Sequence, residues 1–327
     1  MIIIIKLYKM GNKIRNKTII LSEEQIEEYS KRCIQRVNID IPEECDFRNK
    51  IFHNDTFKIL PWIADEVFDL IIIDPPYNLS KKFNEMTFKK MGFNDYLEYL
   101  NSFLKDCVRI LKPNGTLYLC GDWKSSAAMQ IALAMQNNLH IQNRITWARD
   151  KGRGSNNNWK NNQEDIWMVT KHATQYNFNV NEIRQKKKVI APYRDEKGNR
   201  RDWEKTTDGK KWRLTHASNI FTDITIPFWS MPENTEHPTQ KPEKLIAKLV
   251  LASSDEGDFV FDPFLGSGTT AVVASKLGRK YCGIEVDKKW CAVTQYRLEK
   301  AHNDKTIQGY DPIEKCFLDR NFNDNRS

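Results

Sequence analysis

The segment Val67–Asp74, VFDLIIID, is the feature that most restricts the fold. No polar residue interrupts it from Leu70 to Ile73. A strand with one face in water alternates apolar and polar side chains. This run instead predicts a strand covered on both faces, as in a parallel sheet between two layers of helices. The flanking sequence has the matching rhythm. A strand is expected at Lys50–Asp55 (KIFHND), and an amphipathic helix from Asn94 to Leu111, ended by the turn KPNG at Lys112–Gly115. TLYLCG and RITWAR read as further strands, with a helix between them. Upstream, Ser22 and Gln25 form a capping-box pair that opens a short helix.

The alternation resumes at His237–Ser254 (HPTQKPEKLIAKLVLASS). It runs on as strand, glycine loop, helix and strand through FVFDPFLGSGTTAVVASKLGRKYCGIEVD, and a last helix covers KKWCAVTQYRLEKAH. Strands and helices alternating on both sides of an insert predict an α/β fold. The 327 residues suffice for one large domain with an insert. The expected divisions are an N-terminal arm (1–49), a first half of the sheet domain (50–150), an insert (151–236), a second half (237–300) and a peripheral tail (301–327).

A net charge of +8 points to an anionic partner, with nucleic acid the first candidate. The excess is local. Between Lys171 and Arg213, 13 Lys or Arg stand against 6 Asp or Glu. Trp147, Trp159, Trp167, Trp203, Trp212 and Trp229 lie in or beside this stretch. Basic residues among aromatic ones suit phosphate contact with base stacking. They suit equally a solvated module with its own aromatic core. The odd number of cysteines, seven, without C-x-x-C or Cys/His spacing, predicts reduced, buried thiols, no metal site and a cytoplasmic location. The apolar stretch Ile2–Ile5 is too short for a signal peptide or a membrane span, and Met1 and Met10 are both candidate starts.

In FVFDPFLGSGTT a strand ends at Asp262, Gly266 and Gly268 follow, and a helix begins near Thr269 with Gly278 at its far end. Glycines at this place let backbone approach a ligand beyond the strand ends. Glu285 closes the next strand 17 residues after Gly268, where an acid can hold ribose hydroxyls. Neither the lysine of a phosphate-binding loop nor the third glycine of a dinucleotide loop is present. The ligand expected is one with a ribose that need not carry a pyrophosphate.

Asp74 ends the buried strand and is followed by Pro75, Pro76 and Tyr77. The prolines cannot continue a ladder and hold the backbone extended, so carbonyls face the crevice. A carboxylate beside a carbonyl suits an NH2 group with two hydrogens to give, and Tyr77 offers a ring to stack on. The pattern describes a socket for the amino group of a base.

DPPYN together with FDPFLGSGTT resembles the amino-group DNA methyltransferases that use S-adenosylmethionine. The order of catalytic motif, basic insert, HPTQKP and cofactor loop is similar to the beta group of that family, over roughly residues 50–300. The resemblance implies a Rossmann-like methyltransferase fold, with a mostly parallel sheet, circularly permuted motif order and the insert as target-recognition region. It implies that Asp74, Pro75, Pro76 and Tyr77 are catalytic. Phe261, Asp262, Phe264, Gly266, Gly268 and Glu285 match the cofactor motifs, and Asp55 a position near the adenine of the cofactor. His237, Thr239 and Lys241 match the segment that holds its methionine end, with Lys241 placed to pair with the carboxylate. The implied reaction is N6 methylation of adenine in double-stranded DNA, with the base flipped out and attacking directly, as a bacterial restriction-modification enzyme. Residues 79–94 read either as a loop that closes over the base, with Lys81, Lys82, Lys89 and Lys90 near phosphates, or as an ordinary solvated loop. Cytosine N4 is the alternative target. RNA or protein methylation, or DNA binding without catalysis, fit less well. A cognate endonuclease, a homodimer and nucleoid association are further expectations.

Overall fold

The computed structural model describes residues 16–35, 47–83, 86–149, 154, 156–190, 192–205 and 209–319. Both candidate start residues, Cys45, Lys151–Arg153 and the side chains of Lys81 and Lys82 lie outside what is described.

In chain order the elements are α1 (Glu23–Ser30), β1 (Lys50–His53), α2 (Thr56–Ile59), β2 (Phe68–Ile73), β3 (Lys81–Phe83), β4 (Met86–Phe88), α3 (Phe93–Ile110), β5 (Leu111–Gly121), α4 (Trp123–Ala134), β6 (His140–Ala148) and β7 (Gln163–Thr170). They continue with β8 (Arg184–Lys188), β9 (Glu204–Lys205), β10 (Lys211–Thr215), β11 (Ile220–Phe221), α5 (Glu243–Ser253), β12 (Phe259–Asp262), α6 (Thr269–Lys276), β13 (Lys280–Glu285), α7 (Lys288–Asn303), β14 (Tyr310–Asp311) and β15 (Cys316–Leu318).

The central sheet has eight strands in the order β1-β13-β12-β2-β5-β7-β6-β11. Only β7 runs against the others, so the sheet is mostly parallel as expected. The apolar run of β2 is covered on both faces. Ile71 and Ile73 pack under α3 and α4 with Phe103, Leu104 and Met129. Leu70 and Ile72 face the opposite layer, with Leu245 and Leu249 of α5 and Val273 of α6. A strand alternates its side chains, so a run without polar residues is what two covered faces require.

Three boundaries differ from the sequence reading. β7 and β11, inside the expected insert, are strands of the central sheet. Where the chain leaves β6 and enters β7, Arg149 N–H donates to the Asn162 carbonyl at 2.6 Å. The KPNG turn is a bulge within β5: Leu111 pairs with Phe68 and Thr116 with Leu70, leaving the residues between them looped out. The described part of the expected tail, up to residue 319, carries two strands. β14 and β15 join β8, β10 and β9 in a second, five-stranded sheet. Phe317 is fully buried against the α5 layer, and apolar burial of that kind sets the place of a segment more strongly than its many charges.

The tryptophans divide in the same way. The indole N–H groups of Trp147, Trp167 and Trp203 are buried donors to Ile224 O, Ser126 Oγ and Tyr193 O at 3.1, 3.2 and 2.7 Å. These three are core residues. Trp159 and Trp229 are exposed, and Lys186 Nζ sits 3.8 Å above the half-buried Trp212 ring. The six described cysteines form no disulfide with one another and are buried. Among the described residues no helix is long and apolar enough to cross a membrane.

Candidate active site

β2 and β12 are neighbours, with Val260 opposite Leu70 and Phe261 opposite Ile71. From β2 the chain leaves through α3 to β5 on one side. From β12 it leaves through α6 to β13 on the other. Two connections departing in opposite directions open a crevice at the carboxyl ends, the usual ligand position in such sheets. A cavity of about 470 Å³ lies there. Asp74, Pro75, Pro76 and Tyr77 line one end of it, and Asp262, Phe264, Gly266 and Glu285 the other. Asp55, His237, Thr239 and Lys241 complete the expected set.

Phe261 and Gly268 are the two expected residues that do not line it. Phe261 is fully buried and stacks on Phe68 at 4.5 Å. Gly268 caps α6 with φ +84°, and a Cβ there would fall 2.4 Å from Thr294 Oγ1. Both shape the loop from behind. Asp262 faces the cavity, but its oxygens accept from Phe264 N at 2.9 Å and Thr270 Oγ1 at 2.6 Å, which ties the loop to the helix start. Burial pushes its carboxyl up to about 7 against those two hydrogen bonds. Gly266 has φ +55°, and a Cβ would meet the His237 ring at 3.2 Å.

Glu285 accepts from the backbone N–H of Gly266 at 2.7 Å and of Asp287 at 2.8 Å. Burial pushes it up to about 7, and those N–H groups pull it back. Asp55 caps α2, accepting from Phe57 N at 3.1 Å. Phe57, Tyr99, Asp287 and Trp290 also line the cavity and were not anticipated.

Asp74 is surrounded by charge. Its Oδ2 accepts from Lys241 Nζ at 2.6 Å and its Oδ1 from the Tyr77 hydroxyl at 2.8 Å. Lys241 Nζ also reaches the Tyr77 hydroxyl at 2.9 Å and Glu164 Oε2 at 3.3 Å, and Arg149 pairs with the far oxygen of Glu164 at 2.9 Å. Burial raises the Asp74 carboxyl above its usual range; Lys241 opposes that shift and Glu164 adds to it. Burial works against charge on Lys241, but Asp74 and then Glu164 hold its ammonium well above the ordinary lysine range. Sequence reading gave Lys241 to the methionine carboxylate of a cofactor; the structure puts its Nζ on Asp74.

Glu164 and Arg149, which meet Lys241 and each other beside Asp74, were not anticipated. The available signal was the pair of acids, Glu164 and Asp165, at the start of an apolar run. Because β7 is antiparallel, its first residues lie at the edge where the parallel strands end.

Asn78 fastens the segment after the socket, its amide accepting from Met91 N at 2.7 Å and donating to Met91 O at 3.0 Å. β3 and β4 form a hairpin within that segment, and Phe88 at its end lines the cavity.

The family model described as DNA methylase, for N6 and N4 amino methylation, matches residues 68–296. The chain belongs to the N6/N4 DNA methylase family. Two similar proteins of this family are the type II methyltransferase M.HpaI of Haemophilus parainfluenzae and the DNA adenine methyltransferase YhdJ of Escherichia coli K12. The first is 32% identical over 81% of this chain and 77% of its own length, the second 32% over 77% and 83%. Among solved structures, M1.HpyAVI in complex with SAM shares the fold, with TM-score 0.50 and 21% identity, covering 76% of this chain and 98% of that one. The methylase fold, DNA as substrate and S-adenosylmethionine as cofactor, implied by the sequence motifs, stand on that membership.

The cavity fits a cationic cofactor. Asp55, Asp74, Asp262, Glu285 and Asp287 line it, and its one lysine is spent on Asp74 and Glu164. Its volume lies within the range of about 300–1,000 Å³ common to small-molecule sites.

Proposed function

We propose that this chain is a site-specific adenine-N6 methyltransferase acting on double-stranded DNA. The observation that carries the reading is the meeting of Asp74–Tyr77 and the Gly266–Glu285 end in one cavity of a DNA methylase fold. The name of the E. coli relative, a DNA adenine methyltransferase, supports adenine as the base.

Glu285, Asp55, Phe264, the backbone at Gly266, His237 and Thr239 would hold S-adenosylmethionine, which when bound supplies an electrophilic methyl group on a sulfonium. The exocyclic nitrogen of adenine is a weak nucleophile, since its lone pair is delocalised into the ring. Accepting its two N–H bonds at the Asp74 carboxylate and the Pro75 carbonyl favours a pyramidal nitrogen with a directed lone pair. Placing that nitrogen supplies much of the acceleration, and the same acceptors stabilise the charge that develops on it. The nitrogen then attacks the methyl carbon directly as the carbon–sulfur bond breaks and the thioether leaves, and the methylated nitrogen gives up one N–H proton. No cysteine follows a proline, so a thiolate route through the ring carbon has no nucleophile of the usual pattern. A base inside a duplex cannot reach the crevice and is flipped out, with Tyr77 stacking on it and the hairpin of residues 79–94 closing above. The basic second sheet contacts phosphates and reads the target.

The reading extends to a bacterial restriction-modification pair, with a cognate endonuclease sharing the target, a homodimer and a place on nucleoid DNA. Labelled S-adenosylmethionine and mixed genomic DNA test the core of it. After digestion to nucleosides, label in N6-methyladenine is expected. Label in N4-methylcytosine would overturn the base assignment, and no label in DNA would overturn the substrate.

A further inference from the structure

An ammonium has three hydrogens to donate. Lys241 Nζ donates to Asp74 Oδ2 at 2.6 Å and to the Tyr77 hydroxyl at 2.9 Å, and is ion-paired at 3.3 Å with Glu164 Oε2, which accepts from the Tyr77 hydroxyl at 3.2 Å. The lysine side chain is only 7% exposed and that of Glu164 only 8%. Arg149 closes the chain from the far side of Glu164. The four formal charges cancel, which is what a buried cluster requires. The charge of Lys241 is thus already matched by two carboxylates of the protein. The arrangement has a different use. A protonated Asp74 would be a donor on one oxygen and a poor acceptor for an amine. The ammonium on Oδ2 favours the ionised form and holds the plane of the carboxylate.

We propose that Lys241 and Glu164 are positioning residues for methyl transfer: Glu164 fixes the Lys241 ammonium, and the ammonium holds Asp74 as an oriented carboxylate that accepts the N–H of the base. The proposal rests on Asp74 being the acceptor for the base amine. The groups facing Asp74 are Tyr77 from its own loop, Lys241 ahead of α5, Glu164 of β7, Cys120 of β5, Asp262 of β12 and Tyr96 of α3, whose hydroxyl burial keeps neutral. Burial pushes the Cys120 thiol far up, so it contributes no charge.

Opposite charges at Lys241 and Glu164 give the test opposite signs. Single-turnover methyl transfer is measured from pH 5 to 9 for the wild type, Glu164→Gln, Lys241→Met and Lys241→Arg. Cofactor affinity is measured by calorimetry on the same proteins. Removing the negative Glu164 moves the acid limb to lower pH. Removing the positive Lys241 moves it to higher pH, and Lys241→Arg restores it. At pH 7.5 Lys241→Met loses about 10²-fold in rate, the size of effect expected when a reacting group is misplaced. Glu164→Gln loses less, and cofactor affinity changes by less than about threefold in both, since neither touches the Glu285 end. If Lys241→Met weakens the cofactor strongly and leaves the acid limb in place, the lysine belongs to the cofactor and the proposal fails. Rate loss without any shift of the limb also overturns it, since that is a structural role alone. Should Lys241→Met not fold, a lowered limb in Glu164→Gln with an unmoved limb in Lys241→Arg supports the pairing, and any other combination refutes it. The parent reading is judged on the wild type. Label in cytosine would refute adenine while leaving these comparisons in force, and a wild type inert on DNA refutes both.

Discussion

Gly268→Ala separates backbone shape from ligand contact in the glycine loop. Two costs follow from the structure. Gly268 has φ +84°, a left-handed conformation that costs an alanine roughly 1–2 kcal/mol. Its new Cβ would also lie 2.4 Å from Thr294 Oγ1 and 2.5 Å from Thr294 Cγ2, far inside any real contact. Thr294 is fully buried and cannot swing away, so the crowding adds about 1–3 kcal/mol. The sum is about 2–5 kcal/mol, a large fraction of the roughly 5–15 kcal/mol that holds a domain together. Only the crowding can be relieved. In a double-mutant cycle with Thr294→Ala, which removes Oγ1 and Cγ2 but leaves Cβ at 2.8 Å, the coupling should recover part of those roughly 1–3 kcal/mol while the conformational cost stays. Urea unfolding of the wild type, both single variants and the double variant measures all four corners. Gly268→Ala with wild-type stability but lost cofactor binding would refute this reasoning and return Gly268 to the ligand. Additive losses would refute the contact with Thr294.

Asp74→Ala should cost at least about 10²–10³-fold in methyl transfer, the usual loss for one placed hydrogen-bonding group, while calorimetry finds cofactor binding nearly unchanged; equal loss of both would reverse the roles assigned here. Glu285 has its carboxyl pushed up to about 7, and only the ionised form accepts hydrogen bonds at both oxygens. Protons therefore compete with the cofactor: affinity in the wild type should fall about tenfold per pH unit below that value, and Glu285→Gln should bind weakly with no such dependence. A pH-independent wild type would remove the ribose assignment. Lys188 and Lys211 are exposed on the second sheet. If they contact phosphates, replacing each with alanine lowers the slope of log affinity against log salt by about 0.9. An unchanged slope would put the DNA on another surface.

What the sequence determined by itself is whatever a short stretch of backbone enforces. The uninterrupted run Leu70–Ile73 demanded a strand with two covered faces, and it has them. Ser22 and Gln25 cap α1 reciprocally, because that contact closes within one helical turn. The strand, loop and helix around Gly266 and Gly268 were legible because positive φ angles leave glycine as the ready choice. Most of the residues assigned to the two motifs do line the cavity.

Tertiary structure decided what depends on partners distant in the chain. Nothing near Lys241 indicates that its ammonium lands on Asp74, 167 residues away, or that Glu164 meets both. The antiparallel sense of β7 brings Glu164 to the edge where the parallel strands end, and strand direction is not written in an apolar run. The three core tryptophans and the paired strands of the tail follow the same rule. Burial rewards any surface that finds a complementary one, and composition alone does not say which surfaces will meet. Motifs supplied the chemistry of this site, and the sheet order supplied the charges that surround it.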